Sequence, residues 1–392
     1  MLDSRPSVVC SIAEVRTMLD LHLDALRDSP DLASAIPPLM LWGPPGVGKS
    51  AVIRALCQQR GIGFVDVRLS QREPVDLRGL PVPRGDSVAW LLSSEWPRDP
   101  DSRGIILFDE LTAADRTLQV AAYELILDRR LGDLYTVPPG WYIVAAGNRL
   151  GDGAVATVLS SALANRLCHV EVEADPESWI AWALDAGVHP DVVGFLRYRP
   201  QCLFDMTGNT ERGWPSPRSW ARVSAELALI EASPLPADAR ARLLGLVTAG
   251  LVGQGVALEF QAFRALAAVL PDAGAMLDGR VPVTVPDRAD QRYALCAALA
   301  HHLRRRPDWP RLVESFLRIG LALSSDFAAL AMVDALRDRP AADLLTVTGH
   351  PLFAAWSRRH GTALAAGLCG GATAIADAAL AAIDPVLAGA AE

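Results

Sequence analysis

The segment Gly43-Pro44-Pro45-Gly46-Val47-Gly48-Lys49-Ser50 fits the pattern G-x-x-x-x-G-K-[ST]. Its glycines let backbone N–H groups curl around phosphates, and a helix starting at its end adds positive potential. Lys49 would reach the β and γ phosphates of a nucleoside triphosphate, and Ser50 would ligate Mg²⁺. Lys49 is also the only lysine among the 37 Lys and Arg residues. A coding bias toward Arg is the bland cause of that imbalance, so the one exception asks for a chemical reason. Arg is a poor replacement here, because its broad planar fork does not fit where a compact ammonium is needed.

The run Ile105-Ile106-Leu107-Phe108-Asp109-Glu110 ends an apolar stretch with two adjacent carboxylates. Asp109 suits a Mg²⁺ shell and Glu110 suits polarising an attacking water, although such a pair can also simply cap a following helix. Phosphoryl transfer needs a group to orient the water and positive charge for the transition state. Asn148 closes the run Ala145-Ala146-Gly147-Asn148 and is one of few asparagines, the others being Asn165 and Asn209. Arg166 follows a short helix predicted over 155–164 and precedes the apolar run 167–172, a predicted strand, and Arg218 sits in Pro215-Ser216-Pro217-Arg218-Ser219. Most arginines serve as solvated surface, and composition alone selects neither of these two.

These groups need a frame. Residues 12–27 read as a helix capped by Ser11, with Ile12, Val15, Leu19, Leu23 and Leu26 on one face. Residues 39–42 form a short apolar run of buried-strand character, and residues 49–60 follow as a helix. Strands are predicted over 64–69, 104–108 and 141–146, with a helix over 113–128. Strands alternating with helices argue for an α/β fold around a parallel sheet, whose strand ends gather ligands at one edge. Residues 80–92 and 130–138 read as two hairpins interrupting the alternation. Beyond Val172 helical periodicity takes over, at 179–185, 192–198, 218–231 and 240–251, and Pro282 and Pro286 break it before a last helical block at 288–392. The expected domains are 1–174, 175–280 and 281–392.

Composition narrows the class. With 51% hydrophobic and 21% charged residues over 392 positions, a disordered, collagen-like or disulfide-scaffold chain is excluded. The net charge of -8 offers no overall attraction to nucleic acid or anionic lipid, though a local basic channel stays open. Cysteines 10, 57, 168, 202, 296 and 368 lack a CxxC pair, so neither a zinc cluster nor a disulfide framework is suggested and a reducing cytoplasm is expected. No basic start followed by a long apolar stretch marks a signal peptide. Residues 361–376 are uncharged but fall short of the roughly 20 residues of a membrane span, and read as a buried or interfacial helix. His301-His302 beside Arg304-Arg305-Arg306 reads as a solvated helix end, and Cys168-His169 as core packing. Neither HExxH nor GxSxG occurs.

Phosphate loop, carboxylate-ended strand, strand-end Asn, Arg after the next helix and Arg in a later helix follow the order seen in AAA+ ATPases. More narrowly, the chain resembles the MoxR group through Asp76-Leu77-Arg78-Gly79-Leu80-Pro81, Ala145-Ala146-Gly147-Asn148-Arg149, Ala162-Leu163-Ala164-Asn165-Arg166 and Pro217-Arg218-Ser219-Trp220. The similarity covers roughly residues 10 to 270. It implies a P-loop AAA+ parallel sheet in the order 5-1-4-3-2 with a helical lid, an inserted hairpin and a pre-sensor hairpin at about 130–138. It also implies ring assembly, usually hexameric. By the same resemblance Asn148 matches the sensor-1 residue, Arg166 the arginine finger acting on a neighbouring subunit's nucleotide, and Arg218 the sensor-2 arginine acting on its own. The C-terminal helical extension after about 280 departs from a minimal MoxR protein.

The resemblance implies a cytoplasmic, Mg²⁺-dependent ATPase that remodels or matures a protein client, commonly with a partner bearing a von Willebrand factor A (VWA) domain. Two alternatives stand beside it. One is a nucleotide-dependent assembly scaffold with slow turnover, which an intact Glu110 disfavours. The other is a DNA-remodelling ATPase, which the negative charge and the lack of an appended DNA-binding motif disfavour.

Overall fold

The computed structural model describes residues 9–149, 152, 157, 159–206, 212–267 and 272–367. The chain divides into two compact units, Met1–Asp175 and Pro176–Glu392. In the first, a parallel sheet is flanked by helices. Its strands are β1 (Val9–Cys10), β2 (Leu39–Trp42), β3 (Gly63–Arg68), β6 (Gly104–Asp109), β9 (Trp141–Gly147) and β10 (Cys168–Val172). Two antiparallel hairpins, β4 (Leu80–Arg84) with β5 (Ser87–Leu91) and β7 (Arg130–Leu131) with β8 (Tyr135–Thr136), interrupt the alternation as the sequence predicts.

The spatial order is β1-β10-β2-β9-β6-β3. Numbering only the five strands expected from sequence, this is 5-1-4-3-2. The sixth, β1, is an addition: two residues pair in parallel with β10, Val9 opposite Glu171 and Cys10 opposite Val172. So short a strand carries no periodicity, and it leads straight into the helix Ile12–Asp28, whose start is fixed by a capping box between Ser11 and Glu14. That helix buries Val15, Leu19, Leu23 and Leu26.

Strands β2, β9 and, up to its final Asp109, β6 are apolar because both of their faces are covered, the pattern of a central parallel sheet. A Cβ on Gly104 would lie 2.4 Å from the Gly63 carbonyl and 2.6 Å from the Trp141 ring. Both glycines thus exist to admit that indole, whose Nε1–H donates to Ser102 Oγ at 2.9 Å. The helix expected over 113–128 begins later, at Arg116, where Asp115 accepts from Leu118 N–H. Residues 110–114 are instead spent on the turn that carries a carboxylate, described below.

The second unit is helical. Phe195, on helix Pro190–Tyr198, packs its ring at a tilt or edge-on against Trp220, Phe260 and Phe263, at 5.4 to 5.7 Å between centroids. Helix Ala289–Arg305 packs on the same helix, since a Cβ on Gly194 would lie 3.2 Å from Ala294 Cα. Residues on both sides of position 280 therefore share one core. His301 and His302 are half-buried on that helix, not at a solvated end; burial pushes the His301 imidazole down to about 4. Of the helix expected over 361–376, residues through 367 belong to helix Pro351–Gly367, and the remainder lies outside the described residues. Among the described residues no helix is long and apolar enough to cross a membrane.

Among the described residues of this core, one ion pair has both side chains less than a tenth exposed. Arg197 Nη2 donates to Asp334 Oδ1 at 2.5 Å, with side chains 9% and 2% exposed, and Arg197 Nη1 reaches Glu177 at 2.9 Å. Burial raises the Asp334 carboxyl above its usual range against the pull of Arg197 and Arg337. Removing one partner strands a charge in an apolar environment, so Asp334→Ala should cost the second unit about 3–5 kcal/mol. A lowered urea midpoint for that unit, smaller in Asp334→Asn, is the expected result; a midpoint within experimental error of wild type would contradict it.

Candidate active site

Strand β9 pairs with β2 on one side and β6 on the other, with Trp42 opposite Gly147 and Phe108 opposite Ala145. All run in parallel, so their carboxyl ends finish at one edge. The loop of residues 43–48 leaves β2, Asp109 ends β6, and Asn148 follows β9. Three segments separated by about sixty and forty residues of sequence are thereby neighbours.

The loop holds its shape through backbone conformations that favour glycine. Gly43, Gly46 and Gly48 have φ of 147°, 89° and 110°. At Gly43 the approach is also close: a Cβ would lie 2.4 Å from the Val172 carbonyl oxygen. Gly48 is the N-cap of helix Lys49–Arg60 and supplies no side-chain acceptor. The first N–H groups of that helix are thus left for an anion, with the helix dipole behind them.

Lys49 is buried, and its ammonium donates to the carbonyls of Gly43 at 2.5 Å and Pro44 at 3.0 Å and to Asn148 Oδ1 at 3.4 Å. Ser50 Oγ donates to Asp109 Oδ2 at 2.5 Å, while Asp109 Oδ1 accepts from the Glu110 N–H at 2.9 Å. A hydroxyl and a carboxylate side by side are the hard oxygen donors that Mg²⁺ prefers. Ammonium, hydroxyl, carboxylate and amide thus converge on one loop.

Glu110 adopts φ 58°, a left-handed conformation uncommon for a residue with a side chain, at a cost of about 1–3 kcal/mol. Its neighbours compensate. Leu111 N–H donates to Ala146 O at 2.9 Å, and Glu110 O accepts from Ala113 and Ala114 N–H at 2.9 and 3.2 Å. The Glu110 carboxylate meets the Ser70 hydroxyl, and Asp115 caps the helix that follows. Capping therefore is not the role of the Asp109-Glu110 pair.

Sequence reasoning missed several groups around this turn. Ser70, in the turn after β3, donates its hydroxyl to Glu110 Oε2. It could have been found, since β3 adjoins β6 and its end reaches the same edge. Thr112, fully buried, bonds both backbone groups of Asn148. Nothing in its sequence context marks that. His169 was expected as core packing, but it is exposed and bridging: its Nδ1 accepts from Trp42 Nε1–H at 2.9 Å, so Nε2 carries the proton and donates to Ala164 O at 2.7 Å. That bond ties the helix Ser161–Ala164 to β2.

Arg166, two residues past that helix, is exposed, and its backbone N–H closes the helix on Leu163 O at 3.1 Å. Residues 155, 156 and 158 of the longer helix expected there lie outside the described residues. Arg149 is held by Asp152 at 3.1 Å and Glu171 at 3.0 Å, and these acidic neighbours keep its guanidinium above its usual range despite partial burial. Arg218 belongs to the second unit, exposed in the first turn of helix Pro217–Ala232, which Ser216 caps.

Residues 39–124 match the AAA family, described as "ATPase family associated with various cellular activities". Over 123 residues the chain is 30% identical to Midasin of Giardia intestinalis, a stretch that spans 30% of this chain and 2% of that protein. Among solved structures, the RuvB Holliday junction branch migration motor of Thermotoga maritima is similar at TM-score 0.35 and 15% identity, over 78% of this chain and 88% of that one. NtrX from Brucella abortus in complex with ATP is similar at TM-score 0.34 and 18% identity, over 88% and 67%. With the matched residues 39–124 spanning the phosphate loop, the β6 carboxylates and the helix behind them, this chain carries an AAA-type ATPase domain.

Proposed function

We propose that the chain is a Mg²⁺-dependent ATPase of the MoxR branch, working as a ring, usually hexameric, that remodels or matures a protein client beside a VWA-domain partner. The observation that carries the chemistry is the convergence of Lys49, Ser50, Asp109 and Asn148 at the ends of three adjacent strands. The branch rests on Asp76-Leu77-Arg78-Gly79-Leu80-Pro81 leading into the β4–β5 hairpin and on the Pro217-Arg218-Ser219-Trp220 helix start.

In this reading the loop N–H groups and Lys49 bind the ATP phosphates, and Ser50 and Asp109 hold Mg²⁺, which neutralises phosphate charge. Glu110 accepts the proton of the attacking water and Asn148 orients that water. Arg166 stabilises charge on the γ-phosphate held by the next subunit, and Arg218 contacts its own subunit's nucleotide. The second reading, a scaffold with slow turnover, is favoured by one contact: the Ser70 hydroxyl on Glu110 engages the carboxylate that water would need.

Lys49→Ala should lose ATP binding, whereas Glu110→Gln should keep binding and lose hydrolysis, because Lys49 serves ground-state phosphates and Glu110 only the attacking water. Calorimetry with ATP and a steady-state phosphate assay separate the two; equal ATP affinity in wild type and Lys49→Ala would sink the phosphate-loop assignment. The rival readings divide on Ser70→Ala. If the hydroxyl restrains Glu110, turnover should rise severalfold at unchanged ATP affinity, whereas unchanged turnover removes the support for a scaffold.

Arg166→Ala should bind ATP nearly normally and hydrolyse it about a thousandfold more slowly. Mixing it with Lys49→Ala, under conditions that allow subunit exchange, rebuilds working sites wherever a Lys49→Ala subunit lends its Arg166 to an intact pocket. Recovered phosphate release is the expected outcome. Mixed rings that stay silent would mean that Arg166 does not act across a subunit boundary.

A further inference from the structure

Thr112 lies two residues past Glu110 and is fully buried. Its hydroxyl accepts from the Asn148 N–H at 3.0 Å and lies 3.2 Å from the Asn148 carbonyl, to which it donates. One side chain thus satisfies both backbone groups of a residue that has just left β9 and has no further strand partner. The same hydroxyl explains Gly147. A Cβ there would lie 2.7 Å from both Thr112 Oγ1 and Thr112 Cγ2, so the glycine is the space that the threonine fills.

Thr112 is itself held from behind. Its carbonyl accepts from Thr157 N–H at 2.7 Å and from Thr157 Oγ1 at 2.9 Å. Gln119, 3% exposed, donates through Nε2 to Thr157 Oγ1 at 2.8 Å and to Leu111 O at 3.1 Å. The bonds run from the Glu110 turn through Thr112 to Asn148, whose Oδ1 meets Lys49. A network with its members paired rigidifies what it touches, most of all at its buried members, here Thr112 and Gln119.

We propose that Thr112 is a positioning residue for ATP hydrolysis, its hydroxyl fixing the Asn148 backbone so that the amide side chain stands at a set place relative to Glu110. The inference rests on the ATPase reading and on Asn148 orienting water. Thr112→Val keeps the shape and removes the hydroxyl; Thr112→Ser keeps the hydroxyl. Thr112→Val should hold ATP affinity within about twofold and lower kcat about tenfold to a hundredfold, the size expected of a small misplacement, while Thr112→Ser restores kcat.

In an Asn148→Ala background Thr112→Val should lower kcat no further, because residues acting through one another are not additive. Hydrogen exchange at the Asn148 amide should quicken in Thr112→Val and not in Thr112→Ser. Should Thr112→Val fail to fold, Gly147→Ala, which displaces the hydroxyl without removing it, should reproduce the kcat loss and the faster exchange. With wild-type turnover established, an undiminished kcat in Thr112→Val, or an equal loss with and without Asn148, or unchanged exchange at Asn148, overturns the inference alone. A wild type without turnover overturns the ATPase reading and this inference with it.

Discussion

The parallel pairing of β9 between β2 and β6 is the constraint on which the rest of the first unit depends. Parallel strands end on the same side, and backbone hydrogen bonds lock their relative register to a fraction of a residue. The phosphate loop, Asp109 and Asn148 need no direct encounter during folding to find one another; the ladder delivers them together. The Ser50–Asp109 and Lys49–Asn148 bonds are consequences of that ladder and not its cause. Antiparallel placement of any one strand would send its functional end to the opposite edge.

Close packing at the strand ends sets a second demand. Gly43 lies against the Val172 carbonyl and Gly147 against Thr112, so the site's backbone approaches its neighbours to distances that a Cβ would forbid. The left-handed Glu110 stores local strain beside these contacts, and it persists because the Leu111 and Ala113 N–H groups over-determine the turn. Rigidity here is useful to chemistry. Charge that develops on a transferring phosphoryl group is best met by dipoles that do not have to reorganise.

The second unit solves a different problem. Its helices are rich in Ala and pack closely, as Gly194 against Ala294 illustrates, and an aromatic cluster gathers around Phe195. Within this core the Arg197–Asp334 pair joins helix Pro190–Tyr198 to helix Ser325–Leu336 across 137 residues of sequence. A buried pair of this kind is weak support for stability in itself, because desolvation opposes its attraction. What it adds is geometry, since neither helix can slide without stranding a charge.

By itself the sequence determined the chemistry's ingredients. A lone lysine inside G-x-x-x-x-G-K-S, two carboxylates after four apolar residues and an asparagine after another apolar run are local signals, each legible because its meaning depends on a few adjacent residues and a neighbouring element of fixed period. The β4–β5 hairpin and the Ser11-capped helix were legible for the same reason. Tertiary structure alone decided what lies between these pieces. Ser70, Thr112, Thr157, Gln119 and His169 gain their roles from partners 36 to 127 residues away, and nothing in a hydroxyl, amide or imidazole announces which distant backbone group it will meet. The two-residue β1, the half-buried His301 and the Asp334 pair belong with them. Hydrophobic period and turn chemistry act over a few residues and can be read along a chain, whereas side-chain hydrogen bonding is settled by which elements a packed core has already brought into reach.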